Sequence, residues 1–313
     1  MFEWVVLVVG LGGLVLGASL VVNGAKKIAQ ALNINELIIG LTVVSIGTSL
    51  PEIATTLAAA FERLQGIETS SIAIGTIIGS NISNITLILG IVGFFAVLTI
   101  GRKNLKRDGL MLVASMIIFT IASMNGFISK EEGAFLIILN MFYLLYLAKT
   151  EKIVEKAQHN HSKNPLVDFV MILVGLAAVI YTSDIVVSQS IFIAKSYGVR
   201  ELTIGLLIGL GTSLPELTVS LMALLKGQTE LSIGNLIGSN INNSLFVVGL
   251  GASVSGFVVD ETVLALDIPI MGLVTLLALL FLYRKHDLTK PEAVVLIGCY
   301  FIYMYARLFV VGA

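Results

Sequence analysis

The hexapeptide Gly47-Thr48-Ser49-Leu50-Pro51-Glu52 (GTSLPE) returns letter for letter at Gly211-Thr212-Ser213-Leu214-Pro215-Glu216. The likeness extends outward from both copies. Downstream, GTIIGSNISN from Gly75 to Asn84 answers GNLIGSNINN from Gly234 to Asn243. Upstream, ELIIGL beginning at Glu36 answers ELTIGL beginning at Glu201. Self-similarity over such distances marks an internal duplication, so each half of the chain carries one copy of the same structural unit.

The surroundings of the motif place it in a membrane. Of 313 residues, 57% are hydrophobic and only 12% charged, and the mean hydropathy is +0.99, which no water-exposed surface sustains. Apolar stretches long enough to cross about 30 Å of hydrocarbon recur along the chain. They run from Val5 to Val22, Leu37 to Phe61, Ile72 to Leu98, Gly109 to Ser123, Ala134 to Ala148, Val167 to Val187, Leu202 to Leu225, Ser232 to Val259, Val263 to Tyr283 and Ala293 to Phe309. They are continuously apolar rather than alternating, so they read as helices, whose backbone bonds are satisfied internally, and not as barrel strands. The fold class is therefore an all-α integral membrane protein with ten transmembrane helices. The first stretch lacks a basic lead and a cleavage site, so it reads as a retained span and not as a signal peptide. The lone Cys299 permits no internal disulfide and no cysteine-based metal cluster.

One motif copy falls in helices two and three, the other in helices seven and eight. Five helices separate equivalents, and an odd number inverts the second half across the membrane, an arrangement common in transporters. The expected organisation is a first repeat over residues 1–148, a short basic linker over 149–164 and a second repeat over 165–313. Basic residues follow the same parity. Fourteen of the 19 lie in loops after odd-numbered helices, including Arg102, Lys103, Lys106 and Arg107, and Arg284, Lys285 and Lys290. By the positive-inside rule those loops and the linker are cytoplasmic, both termini are extracellular, and the protein is expected as a multi-pass protein of the plasma membrane.

The chemistry lies in the motif. Glu52 and Glu216 sit inside apolar spans, where an isolated carboxylate costs several kcal/mol unless it is paired or faces a polar cavity. Antiparallel halves would bring them together near the midplane, where a divalent cation or protons relieve their repulsion. Pro51 and Pro215 cannot donate to the carbonyls of Gly47 and Gly211, so each helix should break there and free backbone oxygens at Thr48 and Thr212. Carboxylates plus carbonyls suit calcium, which takes six to eight oxygens at roughly 2.3 to 2.6 Å. Without buried His or Cys ligands, zinc, copper and iron are disfavoured.

The second element places Ser80 and Asn84, and again Ser239 and Asn243, four residues apart on one helix face. Their uncharged oxygens, with the hydroxyls of Ser49 and Ser213, suit sodium. Small polar residues also hold transmembrane helices together without binding anything, a reading that applies to the serines more than to the glutamates. Asp108 and Asp267 read as residues at the starts of helices four and nine that cap free amides.

At these residues the sequence resembles the cation/calcium exchanger superfamily on its sodium/calcium exchanger side, whose alpha repeats carry a GTSLPE-like motif followed by a GSN-like motif. The motif match covers about Gly40 to Gly90 and Gly205 to Gly251. The resemblance implies a fold of two inverted five-helix repeats, calcium on Glu52, Glu216, Thr48 and Thr212, and sodium on Ser49, Ser80, Ser213 and Ser239. This sequence departs from that pattern at Asn243, where members often carry an acid, and at Thr76, where an asparagine is usual and Asn235 matches it. One residue is also missing upstream of the second motif, so Gly209 stands where the first repeat has Ser45, shifting a carbonyl that would coordinate sodium. No large cytoplasmic insertion is present, which implies a compact prokaryotic form.

The function so read is antiport of Ca2+ against Na+ by alternating access. Calcium/proton antiport on the same two glutamates is the alternative, and a passive cation channel the remote one. No catalytic motif of an intramembrane enzyme occurs, and no cofactor is expected beyond the transported ions. The lipid bilayer is the expected partner. Nothing in the sequence points to nucleic acid or to a protein partner.

Overall fold

The computed structural model describes residues 2–32, 34–95, 98–150, 165–196, 211–285 and 287–307. Among these the expected ten helical spans are present: α1 (Phe2–Leu32), α2 in two limbs (Glu36–Thr48 and Leu50–Leu64), α3 (Ser70–Phe95), α4 (Arg102–Ser123), α5 (Lys130–Thr150), α6 (Pro165–Ser196), α7 (Leu214–Leu225), α8 (229–255), α9 (Val263–Arg284) and α10 (Lys290–Tyr305). Helices four and five begin before their apolar stretches, since the charged turns at Arg102 and Lys130 form helix hydrogen bonds as readily as apolar ones. Most of the linker, residues 151–164, and residues 197–210, which include Gly209, lie outside the described residues.

By length and apolarity alone α1, α3, α5, α6 and α9 qualify as membrane-crossing, and α2 joins them when its limbs are taken together. The remainder fall short for local reasons. Four cations occupy the first turns of α4, and the polar GSN element dilutes α8. Burial follows the logic of lipid. Val8, Leu16, Phe142 and Ile302 face outward, while Glu52, Glu216, Asn84 and Asn243 are wholly buried, the reverse of a water-soluble surface.

The chain divides into two compact units, one of Met1–Pro51 with Ala148–Asn235, the other of Glu52–Leu147 with Leu236–Ala313. Each unit draws on both repeats. In the first, α1 and α6 pack antiparallel along a stripe of small residues. A Cβ on Gly175 would stand 2.7 Å from the carbonyl oxygen of Gly17, and one on Gly24 the same distance from that of Asp168. Close backbone approach through glycine is the usual means of helix association in lipid, where no hydrophobic drive exists. The same device joins the first limb of α2 to the start of α8. A Cβ on Gly40 would meet the carbonyl oxygen of Leu231 at 2.7 Å, and one on Gly234 would come within 3.2 Å of the Cα of Gly40.

In the second unit the duplication is visible as paired contacts. Gly90 of α3 lies against Ala293 and Ile297 of α10, and its repeat equivalent Gly249 of α8 lies against Gly133 and Ile137 of α5. Two antiparallel strand pairs repeat the relation in the loops. β1 (Leu98–Thr99), after α3, pairs with β4 (Asp287–Leu288), before α10. β2 (Phe127–Ile128), before α5, pairs with β3 (Phe257–Val258), after α8. Every one of these contacts joins one repeat to the other.

Asp108 and Asp267 depart from the capping role read from the sequence. Asp108 lies within α4 rather than at its start, where it accepts from the Tyr143 hydroxyl at 3.2 Å and pairs with Arg107 at 2.5 Å. Asp267 accepts from the Tyr303 hydroxyl at 3.1 Å and pairs with Arg307 at 3.5 Å. Burial decides the change, because a carboxylate held away from water takes the strongest donors within reach.

Candidate cation-binding residues

The helix break expected at the motif is present in the first copy, and the motif serine takes the same conformation in both. Ser49, with φ −81 and ψ 9, ends the first limb of α2, and Ser213, with φ −89 and ψ 3, precedes α7. Both conformations lie in the sparsely populated bridge region between helix and strand. The chain then re-enters a helix with proline in its first turn, where a missing N–H leaves no bond unmade. Each motif glutamate thereby falls in the first turn of a new helix, the end that favours negative charge.

In the first unit, Ser49 of repeat one donates its hydroxyl to Glu216 Oε1 of repeat two at 3.3 Å. Thr48 Oγ1 donates to Asn235 Oδ1 at 3.1 Å. Asn235 Nδ2 donates in turn to Ser220 Oγ at 3.0 Å and to the Glu216 carbonyl at 3.4 Å. Ser45 turns inward on its own helix, donating to the Leu41 carbonyl at 2.8 Å. Ser213 is buried in this unit, while Thr212 is half-buried.

Outside the spans, burial pushes the Lys226 ammonium below its ordinary range. It donates to Ser19 Oγ at 2.6 Å and Asn23 Oδ1 at 2.7 Å, tying the end of α7 to α1.

In the second unit, Ser80 donates to Glu52 Oε1 at 3.0 Å, and Asn243 Nδ2 approaches Ser80 Oγ at 3.4 Å. A crossed set of amides joins α3 to α8: Asn84 Nδ2 donates to Asn240 Oδ1, and Asn240 Nδ2 to the Asn81 carbonyl, each at 3.0 Å. Asn81 Nδ2 donates to Ser244 Oγ, also at 3.0 Å. Ser239 is wholly buried here. At Asn84 and at Asn243 both helices widen into a π-helical turn, Asn84–Ile88 and Asn243–Val247. Such turns cluster at functional positions because they displace side chains from the regular helical register.

Among the described residues, the amide oxygens of Asn81, Asn84 and Asn243 are buried and have no hydrogen-bond donor. A buried carbonyl oxygen left without a donor is costly, and neutral amide oxygens are among the ligands hard cations take.

Both glutamates and the Ser and Asn positions of the second element, named from the sequence, are buried in the structure. Asn235 stood out in the sequence only as the match of a family pattern, and Ser220, Tyr143 and Tyr303 did not stand out at all. A signal for the tyrosines was present. They occupy equivalent positions in helices five and ten, 35 and 36 residues beyond Asp108 and Asp267.

Comparison with known proteins agrees over nearly the whole chain. The family model described as sodium/calcium exchanger protein matches residues 2–149 and 167–309. The inner membrane protein YrbG of Escherichia coli is 33% identical over 97% of this chain and 95% of its own. The sodium/calcium exchanger MaX1 of Methanosarcina acetivorans is 29% identical over 96% and 97%. The sodium-calcium exchanger NCX_Mj, solved after a soak in sodium and strontium, superposes with a TM-score of 0.83 at 27% identity over 97% of this chain and 98% of that one. With the duplicated motif, the buried carboxylates and the ten-helix fold, these matches assign the chain to the sodium/calcium exchanger family of membrane cation antiporters.

Proposed function

We propose that the protein exchanges Ca2+ for Na+ across the plasma membrane by alternating access. Glu52 and Glu216 supply the charge, and Thr48 and Thr212 supply backbone oxygens for calcium. Ser49, Ser80, Ser213, Ser239, Asn84 and Asn243, with the backbone at Ser45 and Gly209, supply neutral oxygens for sodium. The observation that carries this reading is the environment of the two carboxylates. Both are wholly buried, and each accepts from a serine hydroxyl of the repeated motifs. Two carboxylates neutralise one calcium ion or two sodium ions, so the two substrates compete for the same charge, and competition enforces exchange.

The surplus of basic residues in loops after odd-numbered helices supports cytoplasmic placement of those loops and extracellular termini. The names of MaX1 and NCX_Mj support sodium as the counter-ion.

The test is calcium uptake into vesicles loaded with sodium, compared with vesicles loaded with choline. Uptake that requires an outward sodium gradient is the expected result. Uptake driven by a proton gradient and indifferent to sodium would replace this reading with calcium/proton exchange.

A further inference from the structure

The two strand pairs of the second unit are related by the duplication, yet their surroundings carry opposite charge. Beside β1–β4, the first turns of α4 present Arg102, Lys103 and Lys106 to solvent, with Arg107 half-buried below them. The end of α9 adds exposed Arg284, and the start of α10 adds exposed Lys290. Beside β2–β3, the corresponding turns hold Glu131, Glu132, Asp260 and Glu261, and the nearby cations are Lys130 and Arg63, whose guanidinium lies 5.5 Å from the centre of the Phe127 ring. One backbone arrangement thus supports both signs, and the fold itself does not require a basic patch.

The patch sits at the depth where apolar surface gives way to polar. Phe94 and Phe95, at the end of α3, are exposed, and the Lys290 ammonium lies 5.8 Å from the centre of the Phe94 ring. Long basic side chains placed this way extend from the hydrocarbon edge toward the headgroups. Acids close by neutralise only part of the patch: Asp108 pairs with Arg107, Glu292 lies 3.8 Å from Arg284, and Asp287 stands in β4 itself. Arg102, Lys103 and Lys106 are exposed, on successive turns of one helix.

From the convergence of these cations on one strand pair at headgroup depth, we infer that the β1–β4 face is a binding surface for the headgroup of an anionic phospholipid. A role confined to setting topology needs positive charge only during insertion and gives the folded protein no lipid preference. A headgroup site gives such a preference, because each cation near a membrane surface favours an anionic lipid by about fivefold.

The test uses the full chain, delipidated in detergent, offered equal amounts of phosphatidylglycerol and phosphatidylcholine, with bound lipid counted by native mass spectrometry. Wild type should retain phosphatidylglycerol at least tenfold over phosphatidylcholine, a preference that falls with added salt. R102Q/K103Q/K106Q should bring the ratio near parity, and K103Q alone, less disruptive to folding, should lower it about fivefold. E131Q/E132Q, at the acidic counterpart, should leave the ratio unchanged. Equal retention of the two lipids by wild type, or an undiminished preference in the triple variant, would overturn the inference. Lipid retention is read without ion flux, so the result is independent of which ions the protein carries.

Discussion

Thr48 of the first repeat donates its hydroxyl to Asn235 of the second at 3.1 Å, tying the GTSLPE element of one half to the GNLIGSN element of the other. The bond exists because Gly40 and Gly234 let the first limb of α2 and the start of α8 approach to backbone contact. Asn235 also holds Ser220 Oγ and the Glu216 carbonyl, so a single amide orients the threonine and the glutamate that the calcium proposal needs. Asn235→Thr, which copies the residue at position 76, removes the amide and both of its donated bonds. Half-saturation for calcium should rise about tenfold, equivalent to about 1.4 kcal/mol, while the maximal rate falls less. Flux measured against calcium concentration separates the two effects.

Glu52→Gln and Glu216→Gln retain an oxygen that can accept from Ser80 and Ser49 but remove the charge. Calcium uptake should drop to background in each. Their thermal midpoints in calcium-free detergent should match or exceed wild type, because a buried amide is cheaper than a buried carboxylate. Added calcium should raise the midpoint of wild type and leave both variants unmoved, since a ligand stabilises only the state that binds it.

Asn243→Asp places a carboxyl where the amide nitrogen now lies 3.4 Å from Ser80 Oγ, the same hydroxyl that donates to Glu52. A second carboxylate sharing that hydroxyl with Glu52 resists ionisation. The new group is then protonated at low pH and charged at high pH, so uptake by the variant should gain a pH-dependent component beyond that of the wild type. Flux at a fixed sodium gradient across a series of pH values measures it.

Tyr143→Phe and Tyr303→Phe each remove one hydroxyl from a buried aspartate, Asp108 and Asp267 respectively. Each should lower stability by about 1 kcal/mol and leave the calcium half-saturation within about twofold. Thermal unfolding and flux, run on the same preparations, distinguish this scaffold role from ion binding.

Gly175→Ala puts a methyl group 2.7 Å from the carbonyl oxygen of Gly17, a clash with backbone that no side-chain rotation relieves. The expected loss is about 1–3 kcal/mol. Gly12→Ala, on the open side of α1 with nothing within 4 Å, should be neutral or mildly stabilising. The contrast between the two midpoints tests the α1–α6 contact directly.

Much of this was legible in advance because lipid is a strict solvent. Apolar runs of membrane length admit only helices, and a carboxylate within such a run marks itself by its cost. The repeated hexapeptide supplied the inversion by parity alone. Less legible were the partners of Asp108 and Asp267. Their places near the starts of apolar stretches suggested capping, but the charged turns before them are helical too, and the tyrosines that bind them come from the next helix in the chain.

Composition and duplication by themselves determined that this chain is a ten-helix membrane protein of two inverted halves with one buried glutamate in each. Those properties follow from the residue types and their order along the chain. The tertiary structure alone decided which residues serve each glutamate: Ser49 reaches across the repeats to Glu216, Ser80 serves Glu52 within its own repeat, and Asn235 and the asparagines of α3 and α8 bind from one repeat to the other. The physical reason is interlocking. Glycine contacts and strand pairs join each half to the other rather than to itself. Hydrogen bonds between segments well over a hundred residues apart are set by that close approach of backbones, which local sequence does not encode.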